Sequence, residues 1–234
     1  ARHPDFGILR EPAFVAFRDE RGEPIPESLV VARENPFVGS EDSFERRDWA
    51  VLATLGQASP FVGGDSLVAR TIEIHRRATE VDASTACRNW FRCFLEVVVR
   101  PLLDAQANFG IVLGAHQQNL LVRFEHGLPS AARFRDCQGT GYTDHGFADY
   151  AAKVPTLDRA NGNIVSAGMG NALFIYYLVL NSTFQMVSAI GRTGGRSETS
   201  LLVDLRNFLA EFRAAGVRDS GALDTLLDSA TLLH

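Results

Sequence analysis

The residues with the clearest chemical potential lie between positions 114 and 142, in the sequence GAHQQNLLVRFEHGLPSAARFRDCQGTGY. His116, Gln118 and Asn119 precede one short apolar segment, and Asp136 closes the next segment of the same kind. An amide oxygen and a carboxylate oxygen are hard ligands that suit Mg²⁺, which keeps several waters and takes further ligands from phosphates. Asn119 and Asp136 are therefore candidate ligands of a magnesium ion that accompanies a nucleotide.

These two residues meet only if the chain between them turns back on itself. Leu120 to Phe124 and Arg133 to Asp136 flank a turn that contains Gly127 and Pro129, a pattern typical of a β-hairpin. Antiparallel pairing returns the chain close to where it began. We therefore predict that Asn119 and Asp136 converge on one point.

Protein kinases hold magnesium on ATP by a similar logic, with an Asn of the catalytic loop and an Asp at a strand end. Here the spacing is His-x-x-Asn, and no acid lies between His116 and Asn119 to accept a proton from a hydroxyl nucleophile. A carboxylate nucleophile needs no such base because it is already an anion at neutral pH. The pattern therefore favours ATP-dependent activation of a carboxylate over phosphoryl transfer to an alcohol.

The segments AHQQN and RDCQGTGY resemble two signature segments of the IucA/IucC family, the NRPS-independent siderophore synthetases. GILRE near the start resembles a third. YLVLNSTFQMVSAI, which begins at Tyr177, and LLDSATLLH are similar to the later helix and the C-terminal region of the family. The resemblance covers almost the whole chain, which corresponds to the C-terminal portion of a longer family member.

The resemblance implies an ATP-dependent ligase that forms a C–N (amide) bond and releases AMP. A carboxylate of citrate, or of a citrate or succinyl derivative, would attack the α-phosphate of ATP to give an acyl-adenylate. An amine, or less often a hydroxyl, would then displace AMP. The cofactors implied are ATP and Mg²⁺.

The family's functional residues can be carried onto matching positions of this sequence. His116 would contact the phosphates and act in catalysis, while Asn119 and Asp136 would hold magnesium. Arg10, in the LRE segment, would act in the substrate cleft. The nucleotide-binding set implied by the resemblance is His116, Gln118, Asn119, Arg135, Asp136 and Gln138.

The chain departs from the family pattern in two respects. Gly114 stands two residues before the motif His, where family members commonly have Glu, so one magnesium or phosphate contact is missing. The family's N-terminal half, which grips the nucleotide, is absent, as is a Lys- and Arg-containing segment expected after His234. We therefore expect weak or no turnover from this chain alone, and we expect its partners to include the missing half.

Each candidate residue also has an interpretation without function. His116 could be a hydrogen-bonded structural histidine, Asn119 could cap a turn, and Asp136 could pair with an arginine of its own strand. Arg10 and Glu11 could form an ion pair at a strand edge. For the whole molecule, the alternatives are a kinase-like phosphotransferase and a non-catalytic fragment or binding module. An exposed apolar face, covered by self-association into a homodimer, would favour the module.

Composition limits the partners and the compartment. The 234 residues are 46% hydrophobic and carry a net charge of -5, which argues against nucleic acid or an anionic membrane surface as the main partner. The longest apolar run, Ala172 to Leu180, is about half of the roughly 20 residues that a membrane-spanning helix needs. Three cysteines without metal-ligand spacing favour a reducing cytoplasm. We expect small-molecule carboxylate and amine substrates.

The elements around the motif predict an α+β fold. A small antiparallel sheet would carry the motif hairpin and pack against a mainly helical C-terminal layer, as the palm- or thumb-like part of a larger synthetase. The predicted order is a β-rich start over 1–65, helices over 66–110, the motif loop and hairpin over 111–142, and helices over 143–234.

Hydrophobic periodicity, together with proline, glycine and capping residues, predicts where the helices and strands begin and end. A helix capped by Asp82 or Ser84 should end near Gly110 and bend at Pro101. Strands are predicted within Phe6 to Phe17 and over Leu29 to Ala32. The later helices are predicted over Ile164 to Ile190, Glu198 to Ala215 and Ala222 to Leu233.

Overall fold

A computed structural model describes residues 2–37, 48–60, 63–154 and 157–229. The strands are β1 (Phe6–Ile8), β2 (Ala13–Val15), β3 (Val30–Ala32), β4 (Trp49–Val51), β5 (Ile111–Val112), β6 (Leu120–Glu125), β7 (Leu128–Phe134) and β8 (Gly141–Tyr142). The α-helices are α1 (Leu52–Leu55), α2 (Leu67–Thr79), α3 (Ala83–Phe94), α4 (Arg100–Phe109), α5 (Asp144–Tyr150), α6 (Ala167–Phe174), α7 (Phe184–Gly191), α8 (Glu198–Ala214) and α9 (Gly221–Asp228). Two π-helical segments, Leu95–Val99 and Ile175–Thr183, join α3 to α4 and α6 to α7.

The main sheet has four strands in the order β1, β7, β6, β4. β6 and β7 form the predicted hairpin, and β4 pairs antiparallel with β6. β1 pairs parallel with β7, so one edge of an otherwise antiparallel sheet is parallel. Helices cover this sheet, and the predicted α+β class is confirmed.

The hairpin turn is tighter than predicted. His126 and Gly127 both have positive φ angles, of 51° and 78°, as a two-residue type I′ turn requires. The prediction that Pro129 belongs to the turn and that the returning strand begins at Arg133 was wrong. Pro129 lies in β7 beside a shift in register, where its missing N–H does not interrupt a regular ladder.

Helix α3 packs its aromatic face against the sheet. Trp90, Phe91 and Phe94 are at most 1% exposed. The indole of Trp90 donates to the Thr71 hydroxyl at 3.0 Å, so its one polar group is satisfied inside the core. Burial of each such side chain contributes roughly 1.5–3 kcal/mol, and this stripe anchors the helical layer on β7.

Capping residues set the ends of these helices. Asp82, not Ser84, caps α3 by accepting from the Thr85 amide at 2.9 Å. Gly110, with φ of 64°, ends α4. The π segment Leu95–Val99 lies immediately before Pro101, whose ring would clash with a carbonyl of a regular α-helical turn.

The later helices occupy the predicted regions and differ from the prediction at their ends. Ser166 caps α6 by accepting from the Met169 amide at 3.3 Å, so the helix begins at Ala167, three residues after Ile164. α8 ends at Ala214, one residue before the predicted end. α9 spans Gly221–Asp228 and ends at its C-cap Ser229, short of the predicted Leu233, and residues 230–233 of the predicted range lie outside the described residues.

The continuous helix over residues 167–191 is long and apolar enough, by length and composition, to cross a membrane. In its most apolar window, 56% is buried inside the protein. Phe174, Leu178 and Met186 are at most 2% exposed, which is typical of the central helix of a folded core. This helix runs beside the motif loop.

A second, two-stranded sheet stands apart from the core. β2 and β3 pair antiparallel, with Phe14 opposite Val31 and Val15 opposite Val30. Neither strand buries a side chain. We call residues 13–32 the β2–β3 ribbon, and its apolar side chains face solvent.

Candidate functional site

The motif loop spans residues 114–119, between β5 and β6. The Asn119 amide donates to the His116 carbonyl at 2.9 Å, which closes a turn around Gln117 and Gln118. The Gln117 carbonyl accepts from the Ala53 amide at 3.0 Å, which ties the loop to the start of α1. The loop therefore has a defined backbone conformation on the rim of the main sheet.

Asn119 and His116 contact each other within this loop. Asn119 is 8% exposed, and its Nδ2 donates to the Gly114 carbonyl at 3.1 Å. The same nitrogen lies 3.1 Å from His116 Nε2. Since a carbonyl oxygen only accepts, Nδ2 must be the amide nitrogen, and both contacts leave the Oδ1 oxygen of Asn119 for another partner.

Gly114 has no packing reason to be glycine. A Cβ atom at this position would meet no other atom within 4 Å. The glycine contributes its carbonyl, which orients the Asn119 amide, and a side chain here would project into open space.

Asp136 returns to the motif loop as the hairpin prediction requires. The Arg135 amide donates to the Asn119 carbonyl at 2.9 Å, so the backbones on either side of the hairpin are adjacent. Asp136 lies two residues beyond the end of β7 and has a left-handed φ of 69°. Its carboxylate lies 3.8 Å from Arg33 Nη2, an arginine outside its own strand.

Three further residues of the predicted nucleotide-binding set surround this point. Arg135 Nε donates to the Gln118 carbonyl at 3.0 Å, which braces the loop against the end of β7. Gln118 and Gln138 are exposed. Their side chains are therefore accessible to a ligand, and Arg135 has a positioning contact already.

Arg10 lies at the base of the β2–β3 ribbon. Its guanidinium is 82% exposed and pairs with Glu34 at 2.5 Å, while Glu11 pairs with Arg33. The hydrogen bond from Arg10 lowers the pKa of the Glu34 carboxyl, and the same bond raises the pKa of Arg10. Arg10 lines neither of the clefts described next, and the predicted ion pair with Glu11 is replaced by one with Glu34.

Two clefts flank the motif loop, and Tyr177 lines both. One cleft, of about 470 Å³, has an amide-rich wall. That wall includes His116, Gln117, Gln118, Asn181 and Gln185. The Tyr177 ring lies 5.8 Å from the His116 ring. Amide and imidazole N–H groups suit the oxygens of a phosphate or carboxylate.

The second cleft, of about 520 Å³, lies between β5 and the segment 137–142. Cys137 and Tyr142 line this cleft. Burial raises the pKa of the Cys137 thiol and of the Tyr142 phenol, so both side chains are uncharged at neutral pH. A larger cavity of about 620 Å³ lies between α2 and residues 192–195, away from the motif loop. The candidate residues of the motif loop thus lie away from the largest of these three cavities.

The oxygen ligands around the loop are too few to enclose a magnesium ion by themselves. They suit an ion that is also bound by phosphates. Asn119 Oδ1 and the Asp136 carboxylate are two hard oxygen ligands, and Mg²⁺ takes the remainder from water and phosphate. No group of three or more His, Cys, Asp or Glu side chains with metal-binding geometry occurs among the described residues.

Four residues near the loop were missed by the sequence analysis. Arg33 approaches Asp136, and Tyr177 contacts the His116 ring. Asn181 and Ser182 hydrogen-bond to the motif loop. The polar pair Asn181 and Ser182 inside the apolar run YLVLNSTF was a usable signal. Nothing in the sequence around Arg33 distinguishes that arginine.

Comparison with known proteins identifies the family. The family described as ferric iron reductase FhuF-like transporter matches residues 88–232. The chain belongs to this family. Among curated relatives of this FhuF-like chain is the N(2)-citryl-N(6)-acetyl-N(6)-hydroxylysine synthase of Vibrio mimicus, 37% identical over 97% of the chain and 37% of the relative. The Escherichia coli protein of the same name is 33% identical over 91% of the chain and 36% of the relative.

Solved structures agree with these relatives. The ATP-bound aerobactin synthetase IucA from a hypervirulent pathotype of Klebsiella pneumoniae superposes with a TM-score of 0.82 at 34% identity, covering 95% of this chain and 38% of that one. The resemblance to the IucA/IucC synthetases is confirmed. The FhuF-like chain spans about 37% of the length of the curated relatives it matches.

Proposed function

We propose that this chain is the magnesium- and phosphate-binding part of a longer ATP-dependent siderophore synthetase. The observation that carries the proposal is the junction of the motif loop with the end of β7, where the Arg135 amide bonds the Asn119 carbonyl at 2.9 Å. This junction brings the backbone at Asn119 next to the residue that precedes Asp136, at the end of a loop whose His116 and Gln118 line a cleft with amide and imidazole donors. Similarity to an ATP-bound synthetase supports ATP as the nucleotide.

The reaction has two steps. A carboxylate oxygen of the acid attacks the α-phosphorus of ATP, the bond to the β-phosphate oxygen breaks, and pyrophosphate leaves. The nitrogen of an amine then attacks the acyl carbonyl, loses a proton to water, and AMP leaves with the bonding electron pair. Relatives named as citryl-hydroxylysine synthases and a spermidine-citrate ligase support citrate as the acid and an amine as the acceptor.

The residues of the loop act on charge and position in this scheme. Asn119 Oδ1 and Asp136 hold the magnesium ion, which neutralises phosphate charge when it is bound. His116 donates from Nδ1 to a phosphate oxygen, because Nε2 faces the Asn119 amide nitrogen. Gln118, Arg135 and Gln138 contribute at the rim, and Arg10 is assigned to the acid-binding side. No general base is needed to ionise the attacking carboxylate.

The rest of the synthetase completes the nucleotide pocket in this proposal. The chain covers 37% of the first relative, so most of such a protein lies outside it. We expect weak or no turnover from residues 1–234 alone. A cytoplasmic location, where ATP and magnesium are available, fits the reaction.

The products of ATP cleavage test the proposal. The full-length natural protein containing this chain is incubated with ATP, Mg²⁺, citrate and hydroxylamine, and the nucleotides are separated. AMP and pyrophosphate formed only when citrate or a succinyl acid is present would support the synthetase. ADP formed in place of AMP would support the kinase-like phosphotransferase and contradict adenylation.

The non-catalytic module is the second candidate, and one observation favours it. The β2–β3 ribbon exposes Phe14, Val15, Phe17 and Val30 by 62–77% of their surfaces. An apolar surface of this kind marks an interaction site in a soluble protein. Sedimentation of the full-length protein and of a Phe14→Ser variant measures whether it dimerises through this ribbon. A dimer that the variant disrupts, together with no ATP cleavage in the nucleotide assay, would favour the module over the synthetase.

A further inference from the structure

The helix beside the motif loop contains a π-helical segment, Ile175–Thr183. The Phe184 amide donates to the Val179 carbonyl, five residues back, and the Thr183 hydroxyl donates to the Leu178 carbonyl at 2.8 Å, again five residues back. π-helical turns are rare and occur frequently at functional sites. One inserted residue rotates the helix that follows by about 100° relative to the helix before it.

Two consecutive residues of this segment bond the motif loop on either side of His116. Asn181 Oδ1 accepts from the Gln117 amide at 3.1 Å. The Ser182 hydroxyl donates to the Ala115 carbonyl at 2.7 Å. Ser182 and Ala115 are at most 1% exposed, so this bond lies in the protein interior.

Tyr177 of the same segment restricts the position of the His116 ring. Tyr177 presents its ring to the imidazole at a centroid distance of 5.8 Å and an angle of 55°. The residues before and after His116 are thus fixed by hydrogen bonds, and its ring lies against Tyr177. These restraints hold the loop in the conformation in which Asn119 Nδ2 contacts His116 Nε2.

We propose that Asn181 and Ser182 are positioning residues, and that the π segment holds the motif loop in the conformation in which Asn119 and His116 contact each other at the candidate site. This rests on the proposed function. Each acts through the backbone of the motif loop in this proposal, since Asn181 Oδ1 accepts from the Gln117 amide and the Ser182 hydroxyl donates to the Ala115 carbonyl. Both residues lie within the π segment, so the rotation that this segment introduces sets the direction of both contacts.

The first test follows the loop itself and needs no activity. Hydrogen–deuterium exchange is measured over residues 114–119 in the full-length protein and in its Asn181→Leu, Asn181→Asp and Asn171→Leu variants. Leucine removes the acceptor for the Gln117 amide, so exchange there should rise roughly tenfold. Aspartate keeps an acceptor and should restore protection.

Asn171→Leu is the matched control. Asn171 lies on the same helix and accepts from Gln106 Nε2 at 2.7 Å, away from the motif loop. Its loss should lower thermal stability without changing exchange in the loop. Unchanged loop exchange in Asn181→Leu, or an equal rise in Asn171→Leu, would overturn the positioning role.

The second test separates this role from simple stabilisation. Asn181→Leu and Ser182→Ala should raise the magnesium concentration for half-maximal pyrophosphate release, or lower kcat, by about 10- to 100-fold. The KM for the amine should stay the same, and Asn181→Asp should recover most of the loss. Equal magnesium dependence in Asn181→Leu and Asn171→Leu would overturn the proposal.

The two proposals fail in different ways. If the unmodified protein releases no pyrophosphate with any acid, the synthetase proposal fails. The exchange comparison of Asn181→Leu with Asn171→Leu still decides whether the π segment holds the loop.

Discussion

His116 and Asn119 determine each other's hydrogen-bonding roles. Asn119 Nδ2 donates to the Gly114 carbonyl, so it is the nitrogen and not the oxygen that faces His116 Nε2 at 3.1 Å. Nε2 must then accept, and the neutral imidazole carries its proton on Nδ1. This tautomer leaves an N–H donor on Nδ1 of a residue that lines the amide-rich cleft.

Replacing His116 should slow the first step of the reaction. His116→Ala removes the Nδ1 donor, and we expect carboxylate-dependent pyrophosphate release to fall by about 100-fold or more in kcat. His126→Asn is the control, because His126 is exposed in the hairpin turn and Asn tolerates its positive φ of 51°. Loss of activity in the control, or none in His116→Ala, would contradict the role.

The motif residues could be predicted because they are close together in the sequence. AHQQN and RDCQGTGY each carry several candidate residues, and one hairpin brings the two segments together. Arg33 could not be predicted, because it follows the β2–β3 ribbon and approaches Asp136 through a contact of 3.8 Å that no local pattern encodes. Asn181 and Ser182 were visible as polar residues in an apolar run, but their direction depends on the π segment.

At the scale of elements, the hairpin turn is fixed by its packing against α2. A Cβ atom on Gly127 would overlap the Thr71 carbonyl oxygen and approach the His75 amide nitrogen to 2.8 Å. Both are backbone atoms of α2, which cannot move aside as a flexible side chain can. The turn therefore requires glycine for its φ of 78° and for its close approach.

Gly127→Ala should destabilise the protein strongly. We expect a loss of several kcal/mol, roughly 2–4, from backbone strain and overlap together. Gly216→Ala is the control, because Gly216 also has a positive φ but a Cβ there meets no atom within 4 Å. Urea unfolding of both variants measures the difference, and equal losses would contradict the account.

A charge cluster on α2 gives a pH dependence with a definite sign. Hydrogen bonds from Arg76 and Arg77 lower the pKa of Glu73 from 4.5 to about 2. The folded state holds the ionised form, so this stabilisation is present above pH 4.5 and is lost as pH falls towards 2. Thermal unfolding of Glu73→Gln should therefore differ from the unmodified protein near neutral pH and converge with it near pH 2; a difference that stays constant across this range would contradict the assignment.

Boundaries with a local chemical cause could be predicted, and those with a tertiary cause could not. Asp82 caps α3 and Gly110 ends α4, as side-chain capping and a left-handed glycine predict. Pro129 was wrongly assigned to the turn, because the sequence alone does not reveal the shift in register that accommodates it in β7. The strand β4 was not predicted, and it is defined by its tertiary pairing with β6.

At the scale of the whole molecule, the exposed ribbon and the greater length of the relatives both indicate that another part of a longer protein packs on this chain. The chain spans about 37% of the curated relatives, and the β2–β3 ribbon exposes apolar side chains on both of its faces. Arg33 and Glu11 connect the base of this ribbon to Asp136. Whatever covers the ribbon therefore lies next to the candidate magnesium ligand.

Exchange of labelled pyrophosphate into ATP tests the central claim most directly, because it reports reversal of adenylation before any amine is added. It is measured with the full-length protein, Mg²⁺ and citrate, and with Asp136→Ala and Asp149→Ala. Asp149 is a control carboxylate that pairs with Arg218 on the surface. We predict citrate-dependent exchange in the unmodified protein and in Asp149→Ala, and at least a 100-fold loss in Asp136→Ala. Exchange that persists in Asp136→Ala would remove this residue from the site, and no exchange with any acid, in a folded protein that binds ATP, would contradict adenylation itself.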